Sequence, residues 1–193
     1  HLGRRDELGV EHGIPLPPRI LKRGFDLCVA TVMLVAASPV VAAAWCAATI
    51  DTHANGFFRQ ERVGMNGRRF RVIKIRTMRV MTDVAPTTVT KRGDARITIL
   101  GAWLRRFKID ELPQLLNVLV GDMSLVGPRP DVPGFADTLT GSDRIVLSVR
   151  PGITGPATLK YRNEEEILAN QSDPEDYNRR VLWPDKVTIN KKY

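Results

Sequence analysis

The sequence holds few residues that cross-link a chain or bind transition metals, with two cysteines and three histidines among 193 residues. Two cysteines cannot form the disulfide framework of a small secreted protein, and a chain of this length can bury its own core. His12 and His53 have no partners at metal-ligand spacing, so no zinc site is indicated. Hydrophobic residues make up 43% of the chain, close to the globular average, which argues against intrinsic disorder. The length predicts one ordinary domain with a short appendage rather than a large multidomain enzyme.

Acidic residues are the scarcer charge, and the imbalance is local. The chain has 29 Lys and Arg against 21 Asp and Glu, a formal net charge of +8. Residues 59–108 carry fourteen basic side chains against three acidic ones, so this central block has a net charge of +11 and the remainder of the chain is acidic. Such a block favours an anionic partner, which is open between nucleic acid, a phosphorylated substrate and an acidic membrane surface.

The central block follows a long segment without charge. Residues 27–50 contain no Asp, Glu, Lys or Arg and consist mostly of Ala, Val, Leu, Met and Ile. As a helix these 24 residues would measure about 36 Å, against about 30 Å for the hydrocarbon core of a bilayer. The segment is therefore long enough to lie in a membrane.

Two arrangements of this segment are open, a kinked spanning helix and a re-entrant hairpin. Ser38 and Pro39 stand at its middle, where a proline removes a backbone hydrogen bond and a serine hydroxyl can satisfy a freed carbonyl. Basic flanks favour the cytoplasmic side, and both flanks are basic, which favours the hairpin. The basic residues are Arg19, Lys22 and Arg23 before the segment and Arg59, Arg62, Arg68, Arg69 and Arg71 after it.

Short-range patterns beyond the apolar segment predict a β-hairpin and an amphipathic helix. Asn66-Gly67 is a hairpin-turn signal, and the apolar alternation after it is typical of a strand. Residues 80–96 show no clear period and predict a loop. Apolar residues at helical spacing within 99–107, with basic residues between them, predict a helix that lies either in the lipid headgroup region or against its own domain.

Two adjacent carboxylates stand where a further helix is predicted to begin. Pro113 is tolerated only in a first helical turn, so it places Asp110 and Glu111 at the helix N-terminus. An acidic residue at that position is most often a simple cap. Its location beside Arg105 and Lys108 also suits a divalent metal and a phosphate.

Arg129 lies between two prolines in the segment Gly127–Pro130. The restricted backbone would present its planar guanidinium at low entropic cost, in a form suited to phosphate oxygens. The alternative is a rigid turn whose arginine is simply solvated.

Six motifs occur in an order that resembles one bacterial enzyme family. They are KRGFDL at Lys22–Leu27, the apolar segment with its central Ser-Pro, FFRQERVG followed by Asn66-Gly67, KIRTM at Lys74–Met78, LRRFKIDELPQLLNVLVGDMSLVGPRP at Leu104–Pro130, and RPGITG at Arg150–Gly155. Together they resemble the bacterial sugar transferases called monotopic phosphoglycosyl transferases, over residues 20 to about 163. The DELPQL and GPRP blocks are highly specific in combination.

The resemblance implies an enzyme of the bacterial inner membrane that works at its cytoplasmic face. Members of this family move a sugar-1-phosphate from a nucleotide sugar, typically a UDP-sugar, to a polyprenyl phosphate such as undecaprenyl phosphate, and release the nucleoside monophosphate. The expected partners are therefore a nucleotide-sugar donor, a polyprenyl phosphate acceptor and membrane lipids, with no nucleic acid, and a homo-oligomer is left open. The Ser-Pro-centred segment of this family is re-entrant, which favours the hairpin.

The resemblance also assigns roles to single residues. Asp110 matches the family nucleophile, which forms a phosphosugar–aspartyl intermediate and coordinates a Mg²⁺ ion, and Glu111 matches its acidic partner in catalysis. Arg105 and Arg129 match the phosphate-facing arginines of the family. Supporting positions near the substrate are Lys74, Arg76 and Gln114, and the membrane bend matches Ser38 and Pro39.

We accordingly predict an α+β fold that is mainly helical, with a re-entrant helix-break-helix membrane hairpin, interfacial amphipathic helices and a small β-hairpin in a cytoplasmic catalytic domain. The predicted organisation is an N-terminal polar segment 1–18, a membrane hairpin 19–56 and a catalytic domain 57–193, without an accessory domain. Residues 156–163 depart from the usual family pattern, which weakens any inference about the sugar. The tail is predicted to be helical from Glu164 and then irregular, with residues 164–166 forming a solvated helix start.

The rival hypothesis is a membrane-tethered basic module that binds nucleic acid or acidic lipid without catalysis. Such a module would not need a carboxylate pair at a helix start, and the sequence contains no recognisable nucleic-acid motif. The enzyme hypothesis is therefore preferred.

Overall fold

The computed structural model of the protein describes residues 16–80 and 93–193, a mixed helix and sheet structure that begins with one long apolar helix. The helices are α1 (Leu16–Thr52), α2 (Ile99–Arg106), α3 (Gln114–Val120), α4 (Pro156–Lys160), α5 (Glu164–Ala169), α6 (Pro174–Tyr177) and α7 (Trp183–Asn190). The strands are β1 (Phe57–Val63), β2 (Arg69–Ile75), β3 (Ser124–Val126) and β4 (Gly152–Thr154). The predicted mixture of helices and strands and the predicted long apolar segment are therefore confirmed. The predicted domain boundaries stay a prediction. Residues 1–15 of the predicted N-terminal polar segment and residues 81–92 of the predicted loop lie outside the described residues.

α1 is one continuous helix that runs through Ser38 and Pro39. Pro39 has no N–H to donate to the carbonyl of Val35, and the Ser38 hydroxyl donates to that carbonyl instead, at 2.8 Å. The predicted compensation of the proline by its serine neighbour is confirmed, while the re-entrant bend stays a prediction. By length and composition α1 is able to cross a membrane, and only 11% of its apolar window is buried inside the protein.

One face of α1 packs against the rest of the protein, and most of this face is made of small residues. Buried or half-buried residues recur every three or four positions, at Asp26, Ala30, Leu34, Ala37, Val41, Ala44, Ala48 and Thr52. Ala30 packs in a core cluster with Met123, whereas Ala44 and Ala48 pack in a second cluster with Leu104. Large apolar side chains are exposed on other faces of the helix, among them Phe25, Val32, Val35 and Ile50. The outer surface of α1 therefore suits a lipid environment.

A buried carboxylate fixes the N-terminal part of α1 to the rest of the protein. Asp26 is 2% exposed and accepts hydrogen bonds from Lys22 Nζ at 2.6 Å and from Ser124 Oγ at 2.7 Å. Arg23 donates from its two terminal nitrogens to two carbonyls in the last turn of α3, at 2.7 Å and 3.1 Å. A cation at a helix C-terminus satisfies carbonyls that the helix leaves free. The KRGFDL motif thus docks the start of the apolar helix.

β1 and β2 form the predicted antiparallel hairpin, with Val63 opposite Arg69 next to the turn. Asn66 and Gly67 have φ angles of 58° and 77°, the left-handed conformation that Asn-Gly adopts at low cost. The hairpin prediction is confirmed. The buried side chain of Asn117 in α3 then satisfies the backbone of β2, accepting from an N–H at 3.1 Å and donating to a carbonyl at 2.9 Å.

The predicted amphipathic helix is present as α2, and its apolar residues divide between two environments. Leu104 is 2% exposed and packs in the core, whereas Trp103 and Phe107 are each more than half exposed. A Cβ added to Gly101 would lie 2.1 Å from the carbonyl oxygen of Thr77, so only glycine allows α2 to approach this backbone. One side of α2 thus packs on its own domain, and the exposed aromatic side suits a lipid interface.

The C-terminal tail is helical beyond the point that the sequence analysis predicted. α5 begins at Glu164 as expected, but the irregular structure expected after it is wrong. The carboxylate of Asp173 accepts from the backbone N–H of Asp176 at 3.0 Å, and Pro174 occupies the first turn, so α6 carries a standard helix-start signal. Three apolar side chains of this region are buried, namely Leu168, Leu182 and Val187.

Candidate active site

The adjacent carboxylates lie on a short turn between α2 and α3. Lys108 has a left-handed backbone, with φ at 57°, and so separates the two helices. A 3₁₀ turn at Ile109–Glu111 follows, and Pro113 takes the N-cap position of α3. The prediction that Asp110 and Glu111 stand at a helix start is confirmed, although the regular helix begins only after the proline.

Glu111 binds two cations that come from distant parts of the sequence. Arg129 donates to both of its carboxylate oxygens, at 2.6 Å and 3.2 Å, and Lys74 donates to one of them at 3.2 Å. Burial opposes the charge of Glu111, but Arg129 and Lys74 outweigh it and hold the pKa of this carboxyl well below its usual range. Burial also lowers the pKa of Lys74 to about 8, although Glu111 acts in the opposite direction. Glu111 is therefore an ionised anchor that draws two cations together.

Asp110 has the opposite environment to that of its neighbour. It is 5% exposed, and its Oδ1 is buried without a hydrogen-bond partner among residues 16–80 and 93–193. Burial raises the pKa of Asp110, and the charge of Glu111 adds to this effect, while Lys74 and Arg105 act against it. One oxygen of Asp110 is thus available to an incoming group in a region of positive charge.

Two further predicted residues lie beside the carboxylates. Gln114 follows in the first turn of α3, is 2% exposed, and has an amide nitrogen with no partner within the described ranges. Arg105 lies in the last turn of α2 and is close enough for its charge to act on Asp110. One of its terminal nitrogens lies 3.5 Å from Thr77 Oγ1. Buried polar groups without partners are uncommon in native proteins. Asp110 Oδ1 and Gln114 Nε2, which lack partners among the described residues, therefore mark a place where a ligand can bind.

Arg76 occupies a different place from the one that its motif suggested. Its Nε donates to the backbone carbonyl of Asn55 at 2.8 Å, and its guanidinium lies 5.6 Å from the centre of the Phe58 ring. These contacts hold the end of α1 against the hairpin. The structure therefore does not bring Arg76 to the carboxylates, and its role in substrate binding stays a prediction.

Arg129 is positioned by two backbones that touch. Gly127 donates to the Thr154 carbonyl at 2.9 Å, and Gly152 donates to the Pro128 carbonyl at 2.8 Å. A Cβ on Gly152 would lie 2.1 Å from the nitrogen of Gly127, which leaves no room for a side chain. The GPRP and RPGITG motifs thus form one unit that directs Arg129 to Glu111, so this partly exposed arginine is ion-paired and not simply solvated.

A second layer of charge behind the carboxylates was missed by the sequence analysis. Glu165 accepts a hydrogen bond from Arg105, and Glu164 accepts one from Lys186 at 2.6 Å. Both residues lie at the predicted helix start and are partly exposed, but the prediction did not include these ion pairs. Asp131 lies within electrostatic range of Lys186, and its burial raises its pKa to about 6. The C-terminal helices therefore border the site.

Of the two carboxylates at this site, one is suited to bind a divalent cation. No group of three or more His, Cys, Asp or Glu residues suited to a metal occurs in the part of the chain that the structure describes. Mg²⁺ commonly takes only one or two protein carboxylates and completes its shell with water and substrate phosphates. Asp110 has a free buried oxygen, whereas the oxygens of Glu111 are already bound by cations. Asp110 is therefore the residue that fits as a protein ligand.

Comparison with known proteins places the chain in a family. The family model described as bacterial sugar transferase matches residues 17–190. The UDP-glucose:undecaprenyl-phosphate glucose-1-phosphate transferase of Escherichia coli K12 is 37% identical over 171 residues, which is 81% of this chain and 37% of the relative. The undecaprenyl-phosphate glucose phosphotransferase of Komagataeibacter xylinus is 41% identical over 171 residues, 83% of this chain and 31% of the relative. The chain belongs to the bacterial sugar transferase family.

A relative named for a different sugar matches to a similar degree. The UDP-N-acetylgalactosamine-undecaprenyl-phosphate N-acetylgalactosaminephosphotransferase of Aeromonas hydrophila is 37% identical over 144 residues, 73% of this chain and 34% of the relative. The chain thus spans about a third of the length of each of these three relatives. The resemblance identified from the motifs is confirmed.

Proposed function

We propose that the protein transfers a sugar-1-phosphate from a UDP-sugar to undecaprenyl phosphate at the cytoplasmic face of the bacterial inner membrane. The observation that carries the proposal is the buried Oδ1 of Asp110, which has no partner among the residues that the structure describes, next to a Glu111 that is already bound by Lys74 and Arg129. Within the described part of the chain, only Asp110 of this pair has an oxygen that no other residue binds. The names of the relatives support the donor and acceptor classes.

The reaction proceeds in two displacements at one phosphorus. A carboxylate oxygen of Asp110 attacks the phosphorus that bears the sugar, and the bond from that phosphorus to the UMP oxygen breaks, so UMP leaves with the electron pair. A phosphate oxygen of the polyprenyl phosphate then attacks the same phosphorus. The bond to Asp110 breaks, which regenerates the carboxylate and yields polyprenyl diphosphate sugar.

The surrounding cations stabilise the charge of these steps. Arg129 and Lys74 are held by Glu111, so they do not need to be ordered when the donor binds. Arg105 supplies a further positive charge on the side of α2. Mg²⁺ held by Asp110 and substrate phosphates would neutralise negative charge on the diphosphate.

The contacts of α1 support a membrane topology in which both flanks of the helix are cytoplasmic. Ala30 packs with Val72 and Met123, and Ala48 packs with Ile75, so both halves of the helix contact the domain that contains β2. A simple spanning helix would carry one half across the bilayer, away from a domain on the other side.

Labelling of single cysteines tests this topology. In a background without Cys28 and Cys46, Arg19→Cys and His53→Cys should both resist a membrane-impermeant maleimide in spheroplasts and react after lysis. Reaction of either flank in intact spheroplasts would rule out the re-entrant arrangement.

A turnover assay tests the activity. Purified protein in nanodiscs is incubated with Mg²⁺, undecaprenyl phosphate and a panel of UDP-sugars that includes glucose and N-acetylgalactosamine, and UMP is measured. We expect UMP with at least one donor, none with Asp110→Asn, and unchanged rates with Glu166→Gln as the matched charge control. No UMP with any donor, or full activity of Asp110→Asn, would refute the proposal.

A further inference from the structure

Arg105 is held by a residue from the C-terminal part of the chain, sixty positions away. Its Nη2 donates to Oε1 of Glu165 in the first turn of α5. Its other contact, from Nη1 to Thr77 Oγ1, is long at 3.5 Å, and its Nε is buried with no partner among the described residues. A guanidinium has five N–H groups, so one carboxylate contact leaves several of them for a ligand.

The position of Glu165 is itself well determined. The preceding residue, Glu164, accepts a hydrogen bond from Lys186 of α7 at 2.6 Å, and Leu168 on the same helix is 2% exposed. α5 is therefore fixed both by an ion pair and by the core. Because the side chain of Glu165 is 43% exposed and that of Arg105 is 21% exposed, the pair itself adds little to stability.

We propose that Glu165 is a positioning residue for sugar-1-phosphate transfer, which orients Arg105 so that its remaining N–H groups face a phosphate bound at Asp110. This inference rests on the function proposed above. Arginine binds phosphate best through two parallel N–H groups, a geometry that requires a fixed guanidinium plane. A long side chain without such a contact must lose its conformational freedom during the reaction, which slows it.

The opposite arrangement, in which Glu165 competes with the phosphate for Arg105, gives a different result. In that case removal of the Glu165 charge would free Arg105, and the Michaelis constant for the donor would fall. A positioning role predicts a higher Michaelis constant, because a disordered Arg105 binds the donor phosphate less well both in the ground state and in the transition state. The two arrangements therefore differ in the sign of the effect.

Steady-state kinetics of paired variants test the inference. We expect Glu165→Gln to reduce kcat/KM for the UDP-sugar about tenfold, through a higher KM for the donor as well as a lower kcat, and Glu165→Asp to restore part of that loss. In an Arg105→Ala background the further change Glu165→Gln should have little effect, because Glu165 acts through Arg105. The matched control Glu166→Gln, which removes the same charge from the next position, should leave the rates unchanged.

Donor binding provides a readout that does not need turnover. In the Asp110→Asn background, Glu165→Gln should weaken UDP-sugar binding several-fold, whereas Glu166→Gln should not. Unchanged kinetics and binding in Glu165→Gln, a lower Michaelis constant, or an equal effect of Glu166→Gln would overturn the inference. A wild-type protein that binds a UDP-sugar but never releases UMP would instead refute the proposed function and leave binding to decide on Glu165.

Discussion

The adjacent carboxylates Asp110 and Glu111 should affect stability in opposite directions when each is neutralised. Asp110 is buried, one of its oxygens has no partner in residues 16–80 and 93–193, and burial raises its pKa. Asp110→Asn removes the cost of burying the carboxylate charge, and we expect this to raise the free energy of unfolding by about 1 kcal/mol. For a chain of this size we expect a rise in the unfolding temperature of about 2–4 °C.

Glu111→Gln should lower stability, because it leaves Lys74 and Arg129 facing a neutral group. Breaking a buried ion pair by removal of one partner typically costs about 3–5 kcal/mol. The side chain of Arg129 is 37% exposed, so water can solvate it, and we expect a smaller cost of about 2 kcal/mol. The unfolding temperature should then fall by about 4–8 °C.

The pH dependence of these two effects follows from the direction of each pKa shift. The folded-state pKa of Asp110 is raised, so the wild-type protein loses stability as pH rises through that value, and the advantage of Asp110→Asn grows with pH. The folded-state pKa of Glu111 is lowered, so its stabilising effect is complete above the ordinary pKa of a glutamate, about 4.3, and is lost in acid. The advantage of Asp110→Asn should therefore be at least as large at pH 8 as at pH 5, whereas the cost of Glu111→Gln should be nearly the same at these two pH values and should shrink only in stronger acid.

Thermal unfolding in one detergent, with EDTA present, measures both effects at the two pH values. Glu166→Gln serves as the control for removal of an acidic side chain from an exposed position. A lower unfolding temperature for Asp110→Asn, or no change for Glu111→Gln, would show that the electrostatics described for this site are wrong.

Three other perturbations have defined outcomes. Since the pKa of Lys74 is about 8, turnover should decline as pH rises above that value, and Lys74→Arg should move this decline to higher pH. An unchanged pH–rate profile of Lys74→Arg would contradict the need for the lysine charge. Asp26→Ala should lower the unfolding free energy by about 2–3 kcal/mol in chemical denaturation, because the mutation removes the acceptor for Lys22 and Ser124. A loss below about 0.5 kcal/mol would show that Asp26 does not fix α1 to the rest of the protein. Gly152→Ala should reduce UMP release strongly at a stability cost of about 1–3 kcal/mol, and wild-type activity would disprove the packing of this glycine.

Local patterns in the sequence were sufficient to predict most of the structure around the carboxylates. Asn66-Gly67 determines its hairpin through backbone conformation, and Pro113 marks the helix start beside Asp110 because a proline ring is excluded from later turns. The Asp173-Pro174 signal at the start of α6 was also present in the sequence and was overlooked.

Contacts between distant residues could not be predicted in this way. The pair of Arg105 and Glu165 joins two helices whose separation depends on the packing of everything between them, and no periodicity records it. Arg76 shows the converse, since a motif neighbour of Lys74 points to Asn55 instead of the site. Residue type and spacing therefore located the carboxylates, while packing determined which charges reach them.

The inner face of α1 is another feature that packing determined. Ala30, Ala37, Ala44 and Ala48 recur at helical spacing within the apolar segment. Their small side chains allow the helix to approach the domain closely, and larger apolar residues remain for lipid. Uniform apolarity suggested a membrane segment, but it did not indicate the inward face, because Ala36, Ala42 and Ala43 are equally small and are exposed.

The central claim is that Asp110 is the nucleophile, and the most direct measurement is a reaction without acceptor. The protein is mixed with a UDP-sugar that supports turnover, in the absence of polyprenyl phosphate, and the quenched sample is assayed for UMP and for a mass adduct by peptide mass spectrometry. We predict a burst of about one UMP per active site and a phosphosugar on the peptide that contains Asp110, both absent in Asp110→Asn. UMP release only after acceptor is added, with no adduct on that peptide, would contradict the account.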